Sequence, residues 1–411
     1  MSLTLFRGGL VFDGAGAEAR EGLEVLVEGE RIKEVSDRPI TAAGARVVEL
    51  GGRCLMPGLI DAHFHALAAI VNLVALDSMP KALIYLHARR ILEGALQRGF
   101  TSVRDAGGAD YGLAMAVASG LIDGPRVFYA GKALSQTGGH GDTRPLEGWQ
   151  PAGCLCCQGS TVLSTVADGV AEVRKAAREE LRRGATQIKI MASGGVASPS
   201  DPVWNLQYSE EEIRAIVWEA TSWRSYVMAH AYTPEAIARC VRFGVRSIEH
   251  GNLIDEETAR LCAEKGAYVV PTLATYEALH RHGRDLGFPE VSLQKLDVVR
   301  EAGLRSLEIL KSAGVRMGLG TDLLGELHRH QLDEFEIRAR VLPAHEILNS
   351  ATSVNAEILN RSGELGVVAP GALADLIVVD GDPVKDITVL GGEGGGIVLV
   401  MKGGEVFKDA M

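Results

Sequence analysis

Between residues 55 and 325 the chain alternates two kinds of apolar pattern. Short runs dense in Val, Ile and other apolar residues occur at 54–60, 101–105, 127–131, 187–191, 226–230, 247–250, 268–271 and 316–320. Longer stretches, with apolar positions every three or four residues, occupy 81–98, 162–183, 209–222, 233–243, 255–265 and 291–313. The first pattern predicts buried strands and the second amphipathic helices. Ser209, followed by three glutamates, reads as a helix N-cap with acids in the first turn. Eight strands separated by helices predict an α/β protein whose parallel strands form a (β/α)8 TIM barrel, a fold that typically takes ~250 residues.

The two ends are patterned differently. Residues 1–56 and 362–411 carry short alternating β segments, among them Leu23-Glu24-Val25-Leu26-Val27 and Asp375-Leu376-Ile377-Val378-Val379. Each is too short to make a stable sheet alone. Together they predict one small composite β-sandwich, leaving 57–361 for the barrel.

Polar residues interrupt the apolar runs in a specific order. The run Met56-Pro57-Gly58-Leu59-Ile60-Asp61-Ala62-His63-Phe64-His65 ends in two histidines one residue apart. On a strand, alternate side chains share a face, so His63 and His65 can share a cation. Lys189, His230, His250 and Asp322 follow, each near the end of its own run, where barrels collect their chemistry. Singly, each has an ordinary explanation: a hydrogen-bonded core histidine, a snorkelling lysine, a turn aspartate. Jointly, six buried polar groups converging on one barrel mouth cost too much without a shared partner. A metal ion is that partner, and the implied reaction class is metal-assisted hydrolysis. Two further His-x-His pairs, His280/His282 and His328/His330, lie in charged surroundings and are expected to be solvated, although His328 and His330 follow the eighth strand closely enough to reach the pocket rim. Tyr232 shares a strand face with His230 and is a candidate donor to a developing oxyanion, beside its plainer reading as packing at the rim. The loop Gly138-Gly139-His140-Gly141-Asp142-Thr143-Arg144 follows the third strand, and His140 and Arg144 are candidates to hold a substrate anion.

Composition narrows the setting. At 46% hydrophobic and 23% charged residues the chain reads as globular, and its net charge of −11 argues against non-specific nucleic-acid binding. The longest apolar run, residues 66–76, is too short to span a bilayer. Six cysteines form no evident disulfide framework, and the group Cys154, Cys156 and Cys157 reads as incidental thiols rather than a metal site. These features lead us to expect a cytoplasmic enzyme, and a homo-oligomer, whose partners are small molecules or dipeptides.

The ordered set of His63, His65, Lys189, His230, His250 and Asp322, with flanking β segments, resembles the amidohydrolase superfamily over nearly the whole chain. The resemblance implies two divalent ions, zinc foremost, though Mn, Fe or Co would suit the same ligands. His63 and His65 would bind one ion with Asp322, and His230 and His250 the second. Lys189, N6-carboxylated, would bridge both, and Asp322 would shuttle the proton. The segments Ile188-Lys189-Ile190-Met191-Ala192-Ser193-Gly194-Gly195, His230-Ala231-Tyr232-Thr233 and Ile248-Glu249-His250-Gly251, with the His140 loop, look like one branch. It contains prolidases (Xaa-Pro dipeptidases), carboxypeptidases releasing C-terminal Arg or Lys, and imidazolonepropionase relatives. In that branch the residue matching His140 contacts the substrate α-carboxylate. Lys189 speaks against imidazolonepropionase itself, which lacks that lysine. Apolar residues 67–76, Val196, Pro199 and Val203 suit a proline ring, so Xaa-Pro hydrolysis is expected. An Arg- or Lys-specific enzyme would need an acid in the pocket, from Asp142, Asp201, Glu326 or Asp333. Hydrolysis of a non-peptide amide is a further alternative, and an intact ligand set argues against a non-enzymatic scaffold.

Overall fold

The computed structural model describes residues 2–144, 160–198 and 201–411. Cys154, Cys156, Cys157 and Pro199 lie outside the described residues. The barrel strands are Leu59–Phe64, Phe100–Asp105, a third in two pieces (Arg126–Tyr129 and Ala133–Ser135), Ile188–Met191, Val227–Ala231, Ser247–His250 and Tyr268–Val270. Their pairings are parallel throughout. The eighth segment makes one parallel bridge, Val269 to Met317. There the Gly318 N–H donates to Val269 O at 2.9 Å and the Ala62 N–H to Leu319 O at 2.8 Å, so the segment joins the seventh strand to the first. The arrangement is that of a (β/α)8 barrel.

Three of the predicted elements take a different form in the structure. The run 54–60 is two strands: Cys54–Pro57 belongs to the terminal β layers, and the barrel strand starts at Leu59. Gly58 makes the break. Its N–H donates to Asp375 O at 2.8 Å, and a Cβ there would lie 2.2 Å from Thr101 Oγ1. The helix read over 162–183 begins only at Gly169, because Ser164–Val166 pairs as a strand with Ala133–Ser135. The third strand kinks between its pieces at Gly131 (φ 70°), where the first piece pairs with the second strand and the later piece with the fourth.

Helices form where caps and periodicity agree. Ser209 and Glu212 make a reciprocal capping box on Glu210–Ser222, while Thr233 and Asp255 cap Pro234–Arg242 and Glu256–Lys265. A helix absent from the sequence reading, Leu273–His282, follows the seventh strand and is buried on most of its surface. His280 and His282 close this helix rather than a loop. His328, expected to be solvated, is 3% exposed and packs on Phe64 with ring centroids 4.7 Å apart.

The terminal segments form two sheets. One orders Arg31–Ser36, Glu24–Glu28, Leu3–Arg7 and Arg46–Glu49; the other runs from Glu405–Asp409 through Ile397–Lys402, Leu376–Val379, Cys54–Pro57 and Leu10–Val11 to Arg20–Glu21. Phe6, Val25 and Leu50 meet Leu55, Leu376 and Leu399 in a core of their own. Among the described residues no helix is long and apolar enough to cross a membrane.

Candidate active site

His63, His65, Lys189, His230, His250 and Asp322 all line one cleft at the barrel mouth, about 960 Å³ including the solvent at its entrance. The backbone works to bring them there. His250 (φ 73°) and Asp322 (φ 54°) occupy the left-handed region that residues with a Cβ seldom enter. The Asp322 N–H donates to His63 O at 2.8 Å. Thr321 is anchored to buried Asp61 through its N–H at 3.1 Å and its hydroxyl at 2.6 Å. Gly320 permits the approach, since a Cβ there would lie 2.7 Å from the Cβ of His63.

Hydrogen bonds on the outer ring nitrogens assign the tautomers. A carboxylate or carbonyl oxygen can only accept, so His63 Nδ1–H donates to Glu249 Oε2 at 2.7 Å and His65 Nδ1–H to Gly107 O at 3.3 Å. Both rings therefore present Nε2 lone pairs, which lie 3.5 and 3.1 Å from Asp322 Oδ1. Three electron-pair donors aimed at one point require a proton or a metal ion between them. His230 is the reverse case: its Nε2–H donates to Gly194 O at 3.3 Å, leaving Nδ1 as the lone-pair atom. His250 Nδ1 shares hydrogen bonds with Thr272 Oγ1 at 2.8 Å and Tyr276 OH at 3.1 Å. Ligand atoms of His63, His250 and Asp322 lie within 4.8 Å of one another. Such a donor set fits a divalent ion.

For His63, His230, His250 and Asp322 the electrostatics agree with that fit, whereas the His65 imidazole, lowered by burial, is raised overall by its hydrogen bond to Asp322. Burial, reinforced by Lys189, holds the His63 imidazole well below its ordinary pKa. Burial likewise lowers His230 and takes His250 to about 3, so these rings stay neutral with free lone pairs. Burial pushes the Asp322 carboxyl up, but His63, His65 and His250 more than offset it, leaving it well below the carboxylate range. Lys189 is lowered to about 8 by burial, with Glu249 and Asp322 resisting a larger fall.

The other predicted residues separate into two groups. His140 stacks on His230 with centroids 4.3 Å apart, and its Nδ1 lies 3.4 Å from Asp201 Oδ2. Gly195 makes that stack possible, since a Cβ there would lie 2.4 Å from His140 Cε1 and 2.7 Å from His230 Nε2. Tyr232 lines the cleft, and its hydroxyl is 2.8 Å from that of Tyr276. Arg144 is not brought to the cleft. Its guanidinium grips Asp142 in a two-point pair at 2.6 and 2.7 Å, with 43% of the side chain exposed. Sequence reasoning missed Tyr276 and Thr272, because the helix carrying Tyr276 shows little periodicity. It also passed over Glu249, which stands beside His250 in the quoted motif.

The Amidohydrolase family model matches residues 54–407, and the chain belongs to that family. Ochratoxinase of Aspergillus niger is 32% identical over 428 residues, covering 99% of this chain and 87% of that protein. Among solved structures, a prolidase complexed with N-methylphosphonate-L-proline has a TM-score of 0.96 at 53% identity, covering 99% of this chain and 100% of that one. A Xaa-Pro dipeptidase with bound methionine in its active site has a TM-score of 0.88 at 30% identity, with the same coverage of both chains. The protein is an amidohydrolase-superfamily hydrolase with a His/Asp site suited to a metal ion.

Proposed function

We propose that this chain is a metal-dependent hydrolase of Xaa-Pro dipeptides. The observation that carries the reading is the chemistry of the cleft wall. It is largely apolar, with Leu73, Leu163, Val196, Leu279 and Leu324 along it, and its carboxylates among the described residues are Asp322 and Asp77. Asp322 faces the histidines. Asp77 is already occupied, accepting from Thr143 Oγ1 and the Val162 N–H, both at 2.8 Å. Of the four acids that an Arg or Lys pocket could use, Asp142 is paired with Arg144, Asp201 with His140 and Asp333 with His330 at 3.1 Å, while Glu326 is exposed and does not line the cleft. A proline ring asks for apolar surface and no counter-charge. The 53% identical prolidase, complexed with a proline phosphonate, supports the same reading.

When bound among these ligands, a divalent ion supplies Lewis acidity toward the scissile carbonyl and acidifies the attacking water. The chain's own residues do the rest. Asp322 takes the proton from that water and returns it to the proline nitrogen as the acyl–nitrogen bond breaks. Tyr232, steadied by Tyr276, donates its hydroxyl hydrogen to the carbonyl oxygen as charge builds there. His140, backed by Asp201, receives the substrate α-carboxylate. Lys189, partly neutral near pH 8, is poised to add to CO2 and lose a proton, giving a carbamate whose single negative charge is shared by two oxygens available to the ligand set.

The test is hydrolysis of a dipeptide panel by zinc-loaded protein. Turnover of Xaa-Pro ahead of Xaa-Arg and Xaa-Lys is expected, and the reverse order overturns the reading. The whole-chain match to ochratoxinase favours a second reading, hydrolysis of a non-peptide amide. Silence on every dipeptide, with turnover of such an amide, would establish it instead.

A further inference from the structure

The four histidines of the candidate ligand set, His63, His65, His230 and His250, are each tied back to the protein through one ring nitrogen, and of these four His63 is the one tied back to a carboxylate outside the set. Gly107 and Gly194 offer backbone carbonyls to His65 and His230, and Thr272 a hydroxyl to His250. Behind His63 stands Glu249, fully buried, its two oxygens 2.8 and 3.0 Å from Nη2 of the equally buried Arg104. The Ser247 hydroxyl adds a third bond to Glu249 Oε1 at 2.6 Å. Arg104 also donates from Nε to Ala62 O at 2.6 Å and from Nη1 to Ser247 Oγ at 3.2 Å and to the Tyr226 hydroxyl at 3.5 Å. The unit links the first, second and sixth strands, and neither charged residue lines the cleft.

A buried ion pair is weak evidence for stability, because an apolar pair of the same volume often serves as well. Its placement is the informative part. A carboxylate accepting from Nδ1–H fixes the tautomer and the ring plane, and it raises the electron density that Nε2 offers to an ion. We propose that Glu249 is the positioning residue that makes His63 a strong metal ligand, and that Arg104 is the counter-charge that lets a carboxylate stand there. The inference rests on the reading that His63 binds a metal ion, not on the identity of the substrate.

The test pairs Arg104→Met with Glu249→Gln, which removes both charges at nearly constant volume and strands neither. Co2+ binding to metal-stripped protein is followed by calorimetry and by the visible absorption of the bound ion. The variant is expected to bind one Co2+ about tenfold more weakly or worse, with a shifted visible band. Wild-type affinity with an unchanged band would make the pair a strut between strands and overturn the proposal. Imidazole 15N shifts of metal-free wild-type protein give a check that needs no variant. His63 is expected as the Nδ1–H tautomer with a strongly downfield proton, and an Nε2–H tautomer overturns the idea. Wild-type protein that binds Co2+ yet cleaves no Xaa-Pro dipeptide would sink the substrate reading and leave this inference standing. Wild-type protein that binds no Co2+ would sink both.

Discussion

Left-handed backbone at His250 and Asp322 costs on the order of 1–3 kcal/mol each, a strain that persists only where surroundings over-determine it. Around Asp322 the surroundings are Gly320, Thr321 and Asp61, so its backbone is anchored independently of its carboxylate. Asp322→Asn should therefore keep its position, and kcat is expected to fall by at least about a hundredfold with KM much less affected. A near-wild-type rate would remove Asp322 from proton transfer. Gly195→Ala drives a methyl group into the His140–His230 stack, so loss of Xaa-Pro turnover at near-normal melting temperature is expected. Arg144 gives the opposite expectation. Because it clamps Asp142 and not the cleft, Arg144→Ala should change kcat/KM at neutral pH by no more than about threefold, as for ordinary surface substitutions. The sign of its pH effect follows from Asp142. Burial raises that carboxyl, but hydrogen bonds from Arg144 and the Gly138 N–H outweigh burial, leaving it depressed. Its contribution to stability is thus complete above the unfolded carboxylate pKa of ~3.9 and is lost only as pH falls through the lower folded value. The Arg144 variant should lose it at higher pH, which acid-unfolding curves of the two proteins would detect.

Among the elements, the wall built by the segment after the fourth strand depends on one distant lysine. Lys295, on the helix Glu290–Ser312, donates to Gly195 O at 2.6 Å, Ser198 O at 2.5 Å and Asp201 O at 2.9 Å. Those bonds brace both the apolar wall at Val196 and the aspartate behind His140. Lys295→Met is expected to raise KM roughly ten- to a hundredfold while kcat holds, matching about 1.5–3 kcal/mol for a lost charge-assisted bond. An unchanged KM would show that the wall stands without it. Elements of this kind were hard to read in the sequence, and the reasons are physical. Helices with a polar cap and a solvent face, such as Glu210–Ser222, announce themselves through Ser209 and their periodicity. Leu273–His282 has no side-chain cap and is covered on most faces, so its periodicity disappears and Tyr276 with it. The convergence of His63, His65, Lys189, His230, His250 and Asp322 on one cleft was legible because strand ends in a barrel converge. Arg144 was misleading because charge and loop position say nothing about which neighbour a guanidinium will choose.

On the scale of the whole molecule, the mouth is stabilised from behind by a buried pair in the short helix Asp333–Arg338. Glu334 accepts from Arg338 Nε at 2.7 Å and from the Ala274 N–H at 2.6 Å, while Arg338 donates to Pro271 O at 2.7 Å. The pair thus holds the start of the helix that carries Tyr276. Glu334→Gln should cost about 3–5 kcal/mol by stranding Arg338, a loss visible in thermal melts even without metal. A melt within a degree of wild type would mean that Arg338 finds another partner.

The two-sheet layer has its own bearing on how the chain matures. Cys54–Pro57, buried at every position, lies between Leu10–Val11 and Leu376–Val379, so one of its neighbours is separated from it by the whole barrel sequence. A chain leaving the ribosome has every cleft residue from His63 to Asp322 in hand before Leu376 is synthesised. Until then one edge of Cys54–Pro57 is an apolar strand without a partner, open to pairing with another nascent chain. The cleft residues are therefore complete in the nascent chain before this seam can close, and the seam's unpaired edge is the part of the layer open to another chain in that interval.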